Sequence, residues 1–411
     1  MKITNLICSA GLSGYFNKDL TAARGGARQD GFAYLDPPVT PGFERVIQPG
    51  EALSVMLILE DGQVAFGDCM DVIFTAAAGR DPLFRAEAHR EVVQGPIREL
   101  LQGRDAADFR TLAAEIEDYR PHGQALHTAL RYGISQALLH ASALSARRTP
   151  AEVIARDYGT EIADSPLPIL GMCPTDHRMM VEKMILKRVD ILPHGSFTNL
   201  QNDLGPDGGK LVAYADWVSG RVQVLGAADY HPAMHLDVYG TLGQLFGEDW
   251  DAMAGFIGRL AEASSPMPLY LETPMIAASR EGQIQALQDL GLACRNQGVE
   301  VKLIADEWCN TLDDIQAFAD AGAADFLQVK MPYLGGIQNS ILALLHCREK
   351  GAGVYLGGSA NETDQSARLS AHVGLACRAD FIMNKPGQGV DEGLAVLTNE
   401  MSRTLALIAA R

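Results

Sequence analysis

Four short stretches decide how this chain folds: His235-Leu236-Asp237, Leu271-Glu272-Thr273-Pro274, Ala305-Asp306-Glu307-Trp308 and Gln328-Val329-Lys330. Each closes an apolar, strand-like run, and each run is followed by a helix-like stretch. Three of them put a carboxylate at the strand's end and the fourth puts a lysine there. In a barrel of parallel strands, residues at the C-terminal ends converge on one mouth. Carboxylates converging there without basic partners repel one another and need a cation; oxygen donors in that number suit a hard ion such as Mg²⁺. A partly desolvated lysine beside a divalent cation has its pKa lowered and becomes a usable base near neutral pH. Asp237, Glu272 and Asp306 are therefore candidate metal ligands, and Lys330 the candidate proton-abstracting base.

Working outward, apolar runs near 167–172, 190–194, 232–238, 268–273, 300–306, 326–331, 353–358 and 381–385 alternate with helix-like stretches. Eight such units match a (β/α)₈ barrel in count and size. Asp176 is expected to cap a helix starting at His177, and Asn310-Thr311-Leu312-Asp313-Asp314 marks another helix start. Gly298, Gly322 and Gly351 fall where helix C-termini should end. The second run is the weakest strand, because Pro193 sits near its end. Period-two alternation puts His235 and Asp237 on one face, and Gln328 and Lys330 on another. If Asp306 points inward, Glu307 points out, unless the strand has already ended.

Residues 1 to about 160 lack this repeat. Val55, Leu57 and Leu59 alternate with Met56 and Ile58, a strand apolar on both faces; Asp61-Gly62 is a hairpin turn, and Gln63 to Phe66 the return strand. Helices are expected over 83–102, 107–119 and 124–145. Strands followed by helices suggest a small α+β unit ending near Pro166 and Pro168. The expected division is an α+β cap over 1–160 and a barrel over 161–411.

Composition excludes several classes of partner. The net charge of −17 disfavours nucleic acid and anionic membrane, both of which need a basic surface. There is no run of 18 apolar residues to span a membrane, and the N-terminus lacks the apolar core of a signal peptide. Seven scattered cysteines without a C-x-x-C pair fit a reduced, cytoplasmic setting better than a disulfide framework or a zinc site.

Each signal has a plainer reading. A lone acidic residue at a strand end is usually a loop or cap residue, whereas three at successive strand ends with Lys330 on the next form a set. Lys330 alone could serve as an ion-pair partner for Asp306. His235 reads as a packed barrel residue, His194 is ambiguous after Pro193, and Cys309 beside Trp308 reads as buried packing. Gly205 to Leu211 is one residue short of a P-loop, and Gly357-Gly358-Ser359-Ala360 is not a nucleophile elbow. Gly387-Gln388-Gly389 lacks the third glycine of a dinucleotide fold; a glycine-rich turn near the seventh and eighth strands better suits an anionic group of a substrate.

The chain resembles the methylaspartate ammonia-lyases of the enolase superfamily. The resemblance is carried by Gly67-Asp68-Cys69, Gly79-Arg80-Asp81-Pro82-Leu83, Leu126-His127-Thr128-Ala129 and Arg131-Tyr132-Gly133-Ile134. In the barrel it continues through His235 to Thr241, Ala305 to Thr311, Asn361-Glu362-Thr363, Lys385-Pro386-Gly387 and Gly389 to Gly393. It implies that Asp237, Glu272 and Asp306 hold Mg²⁺, with a monovalent cation such as K⁺ as a further requirement. It implies that Lys330 takes the C3 proton of an L-threo substrate, and that His194 serves the opposite face and helps bind a carboxylate. Gln328 would bind the substrate carboxylate held by the metal, and Tyr355 would line the pocket for the methyl group. The implied reaction converts L-threo-3-methylaspartate to mesaconate and ammonia, in amino-acid breakdown. The partners expected are a small carboxylate or amino acid and a second copy of the chain in a homodimer.

The departures from the family pattern cluster in the substrate pocket. Ile73 and Met172 stand where the family has glutamines, and Ser359-Ala360 where it has Thr-Cys. Leu170 replaces phenylalanine and Met383 replaces leucine. Replacing amides by apolar groups removes part of what would orient an α-amino acid. Another enolase-superfamily reaction on a different carboxylate, such as dehydration or epimerisation, is the alternative. A non-catalytic barrel is a third, which the intact Asp237, Glu272, Asp306 and Lys330 set argues against.

Overall fold

The N-terminal strand β1 (Ile3–Lys18) runs 16 residues along the edge of a three-stranded antiparallel sheet. The other elements of this part are a short hairpin, β2 (Gln29–Asp30) and β3 (Ala33–Tyr34), and the strands β4 (Ile47–Leu59) and β5 (Val64–Cys69). Strand β4 lies between β1 and β5, with Ile3 opposite Leu59 and Lys18 opposite Ile47. The computed structural model describes residues 1–76, 80–174 and 178–411, apart from the side chains of Arg24 and His122. The helix cap expected at Asp176 and the start at His177 lie outside the described residues.

Ile3, Leu6, Leu53, Val55, Leu57 and Leu59 bury one face of this sheet. Each such side chain contributes roughly 1.5–3 kcal/mol relative to exposure. The helix Thr128–Ala146 packs across the sheet and is buried along most of its length. The approach is close because Gly67 and Gly133 face each other: a Cβ on Gly67 would collide with the Gly133 carbonyl. The helix expected over 83–102 is three segments, Ala86–Val92, a wider π-type turn Val93–Ile97, and Arg98–Leu101. Pro96 lies in the wide turn; it lacks an amide proton and its ring crowds the carbonyl four residues back. Strand β1 and the helix Pro150–Tyr158 have no counterpart in the pattern reading. In β1 the burial does not alternate cleanly, and pairing with β4 fixes it as a strand.

Eight parallel strands then close a barrel. They are β6 (Ile169–Leu170), β7 (Ile191–Ser196), β8 (Ala233–Asp237), β9 (Leu269–Glu272), β10 (Lys302–Ala305), β11 (Phe326–Val329), β12 (Gly353–Leu356) and β13 (Phe381–Met383). Each pairs with the next, and β13 pairs back to β6. The Tyr270, Phe326 and Phe381 rings fill the interior, and Tyr355 stacks on Phe381 at 4.5 Å. A barrel of this size is a packed core, so chemistry is confined to its mouth. Thr311 caps the helix Leu312–Ala321 through a reciprocal bond with Asp314, as the sequence suggested. Gly322 and Gly351 end their helices in left-handed conformation.

Strand β7 continues through Pro193 by a bulge. Pro193 pairs with His235 and Gly195 with Leu236, which leaves His194 without a cross-strand partner. His194 takes φ of 51°, and the extra residue re-aims its side chain towards the mouth. The N-terminal elements close over that mouth. Gly14 N donates to Asn361 O at 3.1 Å, and Tyr132 Oη donates to Glu362 at 2.8 Å. Ile337 N donates to Ser135 Oγ at 2.9 Å. Among the described residues, no helix is long and apolar enough to cross a membrane.

Candidate active site

A cleft of about 600 Å³ opens between the barrel mouth and the N-terminal elements. From the barrel it is lined by Met172, His194, Asp237, Glu272, Gln328, Lys330, Ser359, Ala360 and Met383, and from the N-terminal part by Ile73. Leu170 and Tyr355 are fully buried and lie behind that lining.

Asp237 ends β8, Glu272 ends β9, and Asp306 follows the last residue of β10. One carboxylate oxygen from each lies within 4.8 Å of the others, and all three residues are buried. Strand β10 has ended at Ala305, which frees Asp306 and Glu307 from strict alternation. Burial pushes the Asp237 carboxyl well above the usual range, and the Glu272 and Asp306 charges add to it. Burial likewise raises Glu272 to about 7, with Asp306 the next contributor. Proximity and burial thus make these carboxylates costly to ionise together, and a divalent cation between them removes that cost. Oxygen donors alone, in a triad of this spacing, fit a hard ion. His194, His235 and Glu272 form a second candidate cluster sharing Glu272, but its donor set is of the softer, nitrogen-bearing kind.

Each metal candidate is fixed by its surroundings. Tyr239 N donates to Asp237 at 3.1 Å. Glu272 accepts from Gln328 Nε2 at 2.7 Å and from Tyr355 Oη at 2.6 Å. Gln328 also donates to Tyr355, closing a triangle, while its Oε1 has no hydrogen-bond partner. His235 Nε2 lies 2.9 Å from Glu272 without hydrogen-bond alignment, and its Nδ1 lies 3.2 Å from His194 Nδ1. Burial lowers both histidines to about 3, His194 further through His235, so both imidazoles are neutral at ordinary pH.

Lys330 follows β11, and its Nζ donates to Asp306 at 2.7 Å. The pattern reading expected a lowered lysine pKa beside a bound divalent cation. Among the protein's own groups, burial acts to lower it, but the negative charges of Asp306 and Glu272 outweigh burial and the pKa is raised. The physical reason is that uncompensated carboxylates hold the ammonium proton. Counting around the ring, β7 is the second strand and β11 the sixth, so His194 and Lys330 face each other across the mouth.

Several groups that the sequence motifs contain without an assigned role hold this arrangement. Lys385 and Glu362 are fully buried 3.5 Å apart; Glu362 also accepts from Ser359 N at 3.0 Å. Lys385 donates to Gly357 O. A Cβ on Gly358 would collide with both charged groups, which is why the turn before Ser359 carries glycine. Arg80 reaches from the N-terminal part to stack 4.2 Å from the Tyr333 ring, and Lys330 lies 5.1 Å from the same ring. Tyr15, Phe32 and Tyr34 line the cleft from β1 and the β2–β3 hairpin. They follow no barrel strand, so strand-end arithmetic could not locate them.

Fold and site together define a capped, enolase-like barrel protein with a buried acidic triad that could hold a metal and a lysine bonded to it. Family models named methylaspartate ammonia-lyase N-terminus and C-terminus match residues 1–159 and 161–410. The chain belongs to the methylaspartate ammonia-lyase family. It is 46% identical over 411 residues to methylaspartate ammonia-lyase of Haloarcula marismortui, covering 99% of this chain and 97% of that protein. The Mg complex of β-methylaspartase from Clostridium tetanomorphum superposes with a TM-score of 0.96 at 43% identity, over 100% of both chains. The Citrobacter amalonaticus methylaspartate ammonia lyase containing (2S,3S)-3-methylaspartic acid superposes at 0.97, also at 43% identity and over 100% of both chains. Muconate lactonizing enzyme from Pseudomonas fluorescens shares the fold alone, at 16% identity and a TM-score of 0.61 over 92% of this chain and 87% of that one.

Proposed function

We propose that this protein is a Mg²⁺-dependent carbon–nitrogen lyase that removes ammonia from a 3-substituted aspartate, with L-threo-3-methylaspartate giving mesaconate. The observation that carries the reading is the buried Asp237, Glu272 and Asp306 triad with Lys330 bonded to Asp306 and His194 across the mouth. Family membership and the methylaspartate-containing relative support it.

Asp237, Glu272 and Asp306 would hold the ion, which when bound supplies positive charge to a carboxylate that gains electron density as its neighbouring carbon loses a proton. Such a charge also weakens the carboxylates' hold on the Lys330 proton, leaving a neutral amine. Lys330 Nζ takes the C3 proton. The C3–H electrons form the C2–C3 double bond, and the C2–N pair leaves with nitrogen as ammonia. His194 stands on the opposite face, placed for the other C3 epimer. Gln328, tied to Glu272 and Tyr355, orients the carboxylate next to the triad, while Ser359 and the Ala360 backbone take the distal one. Tyr355 and Leu170 back the wall that meets the methyl group and Met383 completes it, while Met172 and Ile73 stand beside the amino group and the distal carboxylate.

The proposal extends to a cap of 1–160 on a barrel of 161–411, a cytoplasmic homodimer, and a dependence on a monovalent cation such as K⁺. The test is ultraviolet absorbance of the conjugated product, with Mg²⁺, using L-threo-3-methylaspartate beside several other carboxylic acids. A rise with amino acids alone supports the reading. A rise only with hydroxy acids, or with none, overturns it.

A further inference from the structure

The turn after β12 carries Ser359 and Ala360 into the cleft, and it is held from behind by charged groups that never reach the cleft. Glu362 accepts from Ser359 N at 3.0 Å with one carboxylate oxygen and from Tyr132 Oη at 2.8 Å with the other. Lys385 Nζ lies 3.5 Å from the first of these oxygens and donates to Gly357 O at the start of the turn. Glu362, Tyr132 and Lys385 are 0%, 0% and 1% exposed, so these bonds are shielded from bulk water.

The network settles which groups of the turn are left for a ligand. Glu362 takes the Ser359 N–H. Ser359 Oγ accepts from Asn361 N at 3.2 Å, which leaves its own hydroxyl proton to be donated into the cleft. Among the described residues, no protein group accepts from Ala360 N. A carboxylate buried this deeply persists only where it is paired and fully bonded. Both conditions are met by separate segments: Tyr132 comes from the helix Thr128–Ala146 of the N-terminal part, and Lys385 follows β13. The turn cannot shift without breaking charge-assisted bonds to both.

Resting on the ammonia-lyase reading, we infer that Glu362 is the positioning residue of the distal-carboxylate site. Clamped by Tyr132 on one side and Lys385 on the other, it fixes the turn so that the Ser359 hydroxyl and the Ala360 amide both meet the substrate's second carboxylate. The seating of the N-terminal part on the barrel thereby decides how well a dicarboxylate is told from a monocarboxylate.

Calorimetry with Mg²⁺ present tests this without turnover. It compares mesaconate, which has both carboxylates, with crotonate, which keeps only the one beside the triad. Tyr132→Phe removes one hydroxyl and keeps the ring. It should weaken mesaconate binding by about ten-fold and leave crotonate binding unchanged. In turnover it should raise KM for 3-methylaspartate by a similar factor, with a much smaller fall in kcat. Glu362→Gln, of the same size, should show a larger loss of the same selective kind, because it removes the charge that Lys385 pairs. Equal losses for the two ligands, or unchanged mesaconate affinity in Tyr132→Phe, would overturn the inference. A selective loss, with no ammonia released from any amino acid by the wild type, would overturn the lyase reading and leave the positioning role standing.

Discussion

At one end of the cleft, Asp237, Glu272, Asp306 and Lys330 bring like and unlike charges together in a buried space. At the other, the side chains of Ile73, Met172, Ala360 and Met383 offer only carbon and sulfur. The two ends are held by different forces. Directional bonds fix the charged end: Asp237 to Tyr239 N, Glu272 to Tyr355 and Gln328, Lys330 to Asp306. Loss of one partner there strands a buried charge, at a cost of about 3–5 kcal/mol. At the apolar end the backbone is bonded but the side chains are held by packing, and exchanges of similar volume there usually cost less than about 1.5 kcal/mol. Reaction type is therefore written in the end that tolerates no change, and substrate choice in the end that does.

The comparison breaks most sharply at the triad. Asp237→Asn, Glu272→Gln and Asp306→Asn should each abolish activity, a loss on the order of 10⁴-fold or more if the ion's charge is the main stabilising element. Calorimetric titration with Mg²⁺ checks the cause. Three variants that bind the ion as wild type does would mean the ligands have been misassigned.

The two proposed bases, Lys330 and His194, come next. Lys330→Ala should lower C3 proton exchange from the L-threo epimer by about 10²–10⁴-fold, because transfer needs hydrogen-bond distance. His194→Ala should damage the epimer of opposite C3 configuration more than the L-threo one. Deuterium exchange followed by NMR for both epimers separates this from a His194 that only binds carboxylate. Equal losses across both epimers in both variants would leave Lys330 as the sole base.

At the apolar end, Ile73→Gln combined with Met172→Gln should raise kcat/KM for methylaspartate. Each restored hydrogen bond to a charged group is worth roughly 1.5–3 kcal/mol, or about ten- to a hundred-fold. No gain would show that other groups already supply those contacts and that this wall does not set specificity.

The smallest effect tests a titrating group outside the cleft lining. Burial, with His127 adding to it, lowers His89 from 6.5 to about 4 in the folded chain. The unfolded chain therefore takes up this proton first as pH falls. The stability tied to neutral His89 is complete above pH 6.5 and is lost as pH falls towards 4. His89→Phe should flatten that part of the profile of chemical-denaturation midpoint against pH. An unchanged slope would place the titration on other groups.

Much of this was legible because barrel topology turns sequence position into spatial position. An apolar run ending in Asp237, Glu272 or Lys330 puts that residue at the mouth whatever the rest of the chain does. His194 was harder to read, since a proline normally weakens a strand; the bulge after Pro193 keeps the pairing and turns the histidine inward. The wide turn at Val93–Ile97 departs from the expected single helix because Pro96 interrupts its bonding.

What the sequence determined by itself was therefore periodic and local: eight strand–helix units, the hairpin turn at Asp61-Gly62, the Thr311 cap, and carboxylates and a lysine at strand ends. Tertiary structure decided whatever depends on residues remote in the chain. It made β1 a strand by giving it β4 to pair with, and tied Tyr132 to Glu362 across 230 positions. It brought Arg80 onto the Tyr333 ring, and it set the Lys330 charge against Asp306 and Glu272 from the ends of β10 and β9. A side chain's charge state and its reach are set by the field and the walls around it, and those come from segments whose closeness no local pattern records.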